Sequence, residues 1–190
     1  MPNYRRAMVD GGTFFFTVVT ESRRPILTTD LGRRCLAAAL GETLTDRPAR
    51  VDAFLLMPDH LHTIWTLPTG DTDYSTRWSL IKRRFVRDWL DANGLEEPVG
   101  ESRIHNRRRG VWQRRFWEHV VRRDEFDDIV TYIHLNPVKH GMVKCPHAWP
   151  WSSIHRWVRE GRVPASWECS CDHARGPHEC GPYISFDMTG

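Results

Sequence analysis

Apolar and polar positions fall into short blocks whose period changes along the chain. Thr13 to Thr20 is β-branched and aromatic, follows Gly11-Gly12 and ends at Glu21-Ser22-Arg23-Arg24-Pro25, so it predicts a buried strand. Leu31, Cys35, Leu36, Ala39, Leu40 and Leu44 then recur at helical spacing, with Thr29 or Asp30 as cap and Arg47-Pro48 as stop. Val51 to Met57 predicts a second strand and His60 to Leu67 a third. Pro58-Asp59 is a connection short enough to make the two an antiparallel hairpin. Ser75 to Leu90 reads as a helix with Trp78, Ile81, Phe85 and Trp89 on one face and Arg77, Lys82, Arg83, Arg84 and Arg87 over the rest. A polar connection runs from Asn93 to Gly110, and Val111 to Val121 fits either a short strand or an irregular loop. A last helix, capped by Asp124 and striped by Phe126, Ile129, Val130 and Ile133, is expected to close at Asn136-Pro137.

Strand, helix, strand, strand, helix, short strand, helix is the order of an α+β domain. It predicts a ferredoxin-like antiparallel sheet with helices packed on it. The 190 residues suit one such domain, over 1–145. From residue 146 the composition shifts, with Trp149, Trp151, Trp157 and Trp167 among Pro, Gly, His and Cys, so 146–190 is expected to be a C-terminal extension packing partly on the domain. The longest apolar runs fall far below the roughly 20 residues of a membrane span, and Met1 to Asp10 has no apolar leader ahead of a cleavage site. The expected location is the cytoplasm, in association with the nucleoid. Five cysteines form an odd set in a chain too long to depend on disulfides, which favours reduced thiols.

Charge sharpens the picture. The net charge is only +3, but Lys occurs three times (82, 139, 144) among 27 basic residues, and the other 24 are Arg. Guanidinium forks match phosphate oxygens and base edges better than ammonium groups do. Arg103, Arg107, Arg108, Arg109, Arg114, Arg115, Arg122 and Arg123 crowd one stretch against a single acid, Glu118. Arg83, Arg84, Arg107, Arg108, Arg114 and Arg115 are the candidate DNA contacts, with Trp78, Trp112 or Trp117 available to stack on bases.

His60 and His62 flank one apolar residue at the start of a predicted strand, so both imidazoles share a face, about 7 Å apart at Cα. That spacing serves one cation, and it equally serves two polar residues at a hairpin edge. Tyr132 and Asn136 stand one helical turn apart beside an apolar stripe. They read either as a phenol and an amide aimed at the imidazoles, or as a Tyr bordering the core and an Asn that ends a helix. Asp128 and His134, on the same helix, are candidate general bases. Cys169, Cys171, His173, His178 and Cys180 match no zinc-finger spacing, and no metal residue is assigned there.

Taken in order, Met57-Pro58-Asp59-His60-Leu61-His62-Thr63-Ile64-Trp65, Arg115-Phe116-Trp117-Glu118-His119 and Tyr132-Ile133-His134-Leu135-Asn136-Pro137-Val138-Lys139-His140-Gly141 resemble the single-tyrosine transposases, and among them the REP-associated tyrosine transposases of bacteria. Gly11 to Val18, Thr66 to Asp71 and Trp149-Pro150-Trp151-Ser152-Ser153 extend the resemblance over most of the chain. The resemblance implies a metal-dependent endonuclease and strand transferase that acts on single-stranded DNA with hairpins through a covalent phosphotyrosine. It puts the nucleophile at Tyr132 and the metal ligands at His60, His62 and Asn136, with Mg²⁺ or Mn²⁺ as cofactor. No protein partner is required, and a monomer is favoured over a dimer. The connection from Asn93 to Gly110 is long for that family, and the end from Glu168 to Cys180 has no counterpart in its pattern. A DNA-hairpin-binding module without nuclease chemistry is the alternative. An unrelated metal hydrolase built on His60 and His62 lacks a carboxylate or third His at a recognisable spacing.

Overall fold

The computed structural model describes residues 6–106 and 108–169. Strand β1 (Thr13–Val19) leads to helix α1 (Asp30–Asp46), the hairpin β2 (Arg50–Leu56) and β3 (His60–Thr66), and helix α2 (Tyr74–Asp91). A short helix α3 (Glu101–His105) precedes strand β4 (Trp117–Val120), helix α4 (Phe126–Lys139) and helix α5 (Ile154–Arg159). The sheet order is β2-β3-β1-β4, with every neighbouring pair antiparallel. This is the predicted ferredoxin-like sheet.

Both faces are covered, which explains why β1 reads as a continuous apolar run rather than an alternation. Phe14, Phe16, Val18, Phe54, Leu56, Leu61 and Trp65 pack under α1 and α2. Phe15, Ala53, Leu55 and Ile64 face the other way, against Val130 and Ile133 of α4 and against Trp149 and Trp157. Each large side chain so enclosed contributes roughly 1.5–3 kcal/mol. Under the first layer, Trp65 and Trp78 stack with ring centroids 4.3 Å apart.

Thr29 caps α1, its side chain accepting from Gly32 N, and Asp73 caps α2 by accepting from Thr76 N. Arg77, which the helical pattern puts among the polar positions of α2, is instead buried. It donates to the carbonyls of Arg47 (2.9 Å), Pro48 (2.7 Å) and Asp73 (2.7 Å) and to Asp71 Oδ2 (2.6 Å). One guanidinium thus closes the end of α1 onto the start of α2 with every bond charge-assisted.

The segment after residue 145 is part of the fold through residue 169. Leu56 N donates to Trp151 O and Ser153 N to Phe54 O, so this segment lies along the outer edge of β2, where the backbone would otherwise be unpaired. Trp149 Nε1 donates to Leu56 O and Trp157 Nε1 to Asp52 O from above the sheet.

Helix α4 departs from expectation at both ends. It starts at Phe126 and runs through Pro137 to Lys139 rather than closing at Asn136. Pro137 removes only the bond to the carbonyl four residues back. His140 N still reaches Asn136 O at 2.9 Å, and the chain turns off at Gly141, where φ is +66° and glycine carries no Cβ penalty.

The start of α1 is tightly seated: a Cβ on Gly32 would run into the Ile26 carbonyl oxygen. Gly32→Ala is therefore expected to cost about 1–3 kcal/mol, read as a lower urea midpoint. An unchanged midpoint would show that the loop before α1 yields freely.

Candidate active site

His60 and His62 lie on the face of β3 that looks toward α4, in register with Val19 and Thr17 of β1. Both are buried. Each ring is fixed through Nδ1: His60 meets Asp59 Oδ1 at 2.6 Å, and His62 meets Thr17 Oγ1 at 2.9 Å. That leaves the two Nε2 atoms as the available donors, the arrangement by which outer partners orient ligating imidazoles. The ring centroids are 4.8 Å apart. Burial above all, and then the neighbouring His60, push His62 down to about 3 against an opposing contact from Asn136, so its imidazole is neutral at pH 7, the ligating form. Burial works against ionising Asp59, but its bonds to His60 and Arg23 outweigh that and hold its carboxyl below the usual range.

Helix α4 supplies the rest. Val130 and Ile133 seat it on the sheet, which turns Tyr132 and Asn136 toward the imidazoles. The Tyr132 ring stands 5.5 Å from the His62 ring and 6.0 Å from Phe15, and the side chain is 43% exposed. Asn136 is buried, and its Oδ1 has no hydrogen-bond partner. Asn136 lies against His62 and is a weak hydrogen-bond partner in that imidazole's electrostatics, yet its Oδ1 meets no donor in good geometry. An amide oxygen so placed beside two imidazoles held through Nδ1 fits a cation bound by two nitrogens and one oxygen. Among the described residues no three His, Cys, Asp or Glu side chains converge in this way; the third donor here is an amide.

Two residues of the site are absent from the sequence expectation. Lys139 Nζ lies 4.9 Å over the Tyr132 ring, and the His140 ring is 5.9 Å from that of His60. Both sit beyond Pro137, Lys139 as the last residue of α4 and His140 as its C-cap. Continuing the helical count from Tyr132 and Asn136 by seven and four positions would have found them.

Of the candidate bases, His134 is excluded. It faces away from the sheet site, fully buried between α4 and the C-terminal segment, with Nδ1 3.0 Å from Ser152 Oγ. Asp128 opens into the same cleft as Tyr132. Of the candidate stackers, Trp78 and Trp112 are core residues, whereas Trp117 is 52% exposed on the edge strand β4.

The arginines divide. Arg84 does not belong with the candidate DNA contacts: it bridges α2 to α1, bonded to Thr43 Oγ1 and paired with Glu42 and Asp46, on the sheet face opposite Tyr132. Arg103 and Arg109, from the same crowded stretch, are paired with Glu21 and Glu96. Arg83, Arg108, Arg114 and Arg115 are exposed, with no ion pair among the described residues. Arg107, and Cys171, His173, His178 and Cys180, lie outside the described residues. No helix among the described residues is long and apolar enough to cross a membrane.

The chain is 41% identical over 169 residues to the REP-associated tyrosine transposase of Escherichia coli (strain K12), covering 88% of this chain and 91% of that protein. The chain belongs to the REP-associated tyrosine transposases. A protein of Haemophilus influenzae (strain Rd KW20) given the same family name is 36% identical over 168 residues, 88% of this chain and 93% of its own. A solved structure of a REP-associated tyrosine transposase bound to a REP hairpin matches with a TM-score of 0.74 and 40% identity, over 90% of this chain and 93% of that one. No family model matches. As a tyrosine transposase the chain is an enzyme, so the site on the α4 face of the sheet is where its chemistry is to be sought.

His134 also couples this face to pH. Burial, then the charges of His155, Arg156 and His147, hold its imidazole down to about 3. Because the folded value lies below the unfolded value of about 6.5, its contribution to stability is complete above pH 6.5 and is lost as pH falls toward 3. The urea midpoint is expected to drop steadily between pH 7 and pH 4, and His134→Gln to flatten that drop. An equal drop in the variant would place its origin at other groups.

Proposed function

We propose that this transposase is a metal-dependent single-stranded DNA endonuclease and strand transferase that acts on REP hairpin DNA through a phosphotyrosine bond to Tyr132. The observation that carries the reading is the meeting, within one chain, of the Tyr132 phenol, two imidazoles held through Nδ1 and the buried Asn136 amide against His62. The REP hairpin in the related solved structure supports the substrate class.

In this reading Tyr132 Oη attacks phosphorus and gives its proton to water, while the bond from phosphorus to the 3′ oxygen breaks and that oxygen takes a proton from water to leave as a 3′ hydroxyl. The ester to tyrosine keeps the energy of the phosphodiester, so a 3′ hydroxyl can attack it in turn and rejoin strands. His60, His62 and Asn136 would hold Mg²⁺ or Mn²⁺, which polarises the scissile phosphate and offsets the charge that builds on it. Lys139 Nζ, 4.9 Å over the phenol ring, sets a basic side chain beside the nucleophile where the anionic phosphate would approach. Arg114 and Arg115, exposed just ahead of β4, would be available to contact the phosphate backbone. Because the tyrosine stands beside the imidazole pair of its own chain, a monomer completes the site.

Tyr132→Phe is expected to abolish the covalent protein–DNA adduct on a single-stranded REP hairpin while leaving binding within about threefold, since the ring contacts remain. An adduct in that variant would reject the nucleophile. His60→Ala with His62→Ala should lose cleavage and also the heat of Mn²⁺ binding in calorimetry; retained Mn²⁺ binding would reject the ligand set. Tight hairpin binding by the wild type with no adduct in either metal would favour the pure binding module.

A further inference from the structure

Beside Tyr132 the sheet edge and the first turns of α4 enclose a cleft of about 430 Å³, lined by Phe15, Trp117, His119, Glu125, Asp128 and Ile129 together with Tyr132 itself. Its volume lies within the roughly 300–1,000 Å³ of small-ligand sites. The cleft has apolar walls and an acidic rim. Trp117 and His119 project from β4 on the Phe15 side and stack almost parallel, at 8° with centroids 5.8 Å apart, so that His119 braces the indole as a stacking plate. Glu125 holds that plate in place. Its Oε2 meets His119 Nε2 at 3.1 Å and accepts from Arg122 N at 3.2 Å, while Oε1 pairs with Arg122 at 3.0 Å.

Asp128 differs from Glu125. It is exposed and has no ion pair among the described residues, and it precedes Tyr132 by one helical turn, about 6 Å along the axis. A carboxylate next to a scissile phosphate repels the backbone, so phosphate contact does not explain it. It is suited to accept a hydrogen bond from a neutral donor. Among nucleobase edges an exocyclic amino group is such a donor, and carboxylates read cytosine N4 in this way.

We propose that this cleft is the site for the nucleobase that flanks the cleaved phosphate, stacked on Trp117 and selected for an exocyclic amino group, cytosine foremost, by Asp128. The inference rests on the phosphotyrosine reading only for its placement of the scissile phosphate at Tyr132. Trp117 and Asp128 line the same cleft, so a base stacked on the indole would have the carboxylate available to its Watson–Crick edge. Uracil or thymine at the same place would set a carbonyl oxygen against the carboxylate, leaving two acceptors without a proton between them. His119 and Glu125 are positioning residues for the plate.

The test uses the full chain carrying Tyr132→Phe, so that binding is read without chemistry, and a single-stranded REP hairpin with flanks on both sides. With 2-aminopurine moved along the flanks, one position is expected to be quenched on binding, and the quench to vanish when Trp117→Ala is added and return with Trp117→Phe. Placing cytosine and then uracil at that position should change the dissociation constant by roughly tenfold, and Asp128→Asn should reduce the difference to within twofold. With an abasic nucleotide there, Trp117→Ala should cost nothing further. No position quenched through Trp117, or a cytosine-to-uracil ratio unmoved by Asp128→Asn, overturns the proposal. These readouts need no adduct, so a wild type that fails to form one rejects the phosphotyrosine reading and leaves the base site to be judged by binding alone.

Discussion

The seating of α4 on the sheet is the contact on which the site depends. Val130 and Ile133 fit against Phe15, Leu55 and Ile64, and that fit sets both the height of the helix and its rotation about its own axis. Rotation is what matters. Tyr132 and Asn136 flank the buried stripe, so a turn of the helix by a few tens of degrees would swing the phenol off the His62 ring and lift the amide away from the imidazoles. The apolar packing is thus the means by which polar groups from two distant segments reach one point. It is reinforced from behind by the C-terminal segment, where Trp157 and His134 meet across α4 and α5 with ring centroids 5.8 Å apart.

Burial then determines the chemical state of what has been brought together. The His62 imidazole, removed from water, resists protonation, and Asp59 and Thr17 fix which nitrogen of each histidine faces inward. Asn136 is the costly member, because a buried amide oxygen without a partner is unfavourable by about 1–3 kcal/mol. A fold retains such a group where an electron-pair acceptor completes it. Lys139 lies on the same side but outside the pocket, exposed, with Nζ 4.9 Å over the Tyr132 ring.

The elements with a clear period were legible in the sequence. β1, α1, the hairpin and α2 lie within a residue or two of where the apolar spacing puts them, because each has one dominant packing face. The His60-Leu61-His62 alternation also carried its own geometry, since a strand can only put those two rings on one side. Pro137 misled the pattern. Proline is read as a stop, but near the end of a helix it removes a single bond, and the added turn carries Lys139 and His140 into the site. Side-chain pairing was illegible for a different reason: Arg77 and Arg84 look like their exposed neighbours along α2, and only the position of α1 decides that one is buried and the other bridged. The edge strand β4 was ambiguous because four residues, with Trp117 facing out, present too few buried positions to show a period.

The two layers of helices divide the labour by charge. On the α1 and α2 side, basic side chains are largely taken up by the fold itself, with Arg77 closing a helix junction and Arg84 and Arg87 facing Glu42. On the α4 side, the apolar floor carries the reactive groups, and the exposed arginines ahead of β4 stand at its rim. On the proposed reading, a nucleic acid strand approaching Tyr132 would meet positive charge along the edge of β4, then the aromatic plate, then the imidazoles. That sequence of surfaces, first a charged rim and then an apolar cleft, would remove water from a phosphate brought to Tyr132 in stages. It makes the electrostatic attraction of the rim and the burial of the reacting centre parts of one path.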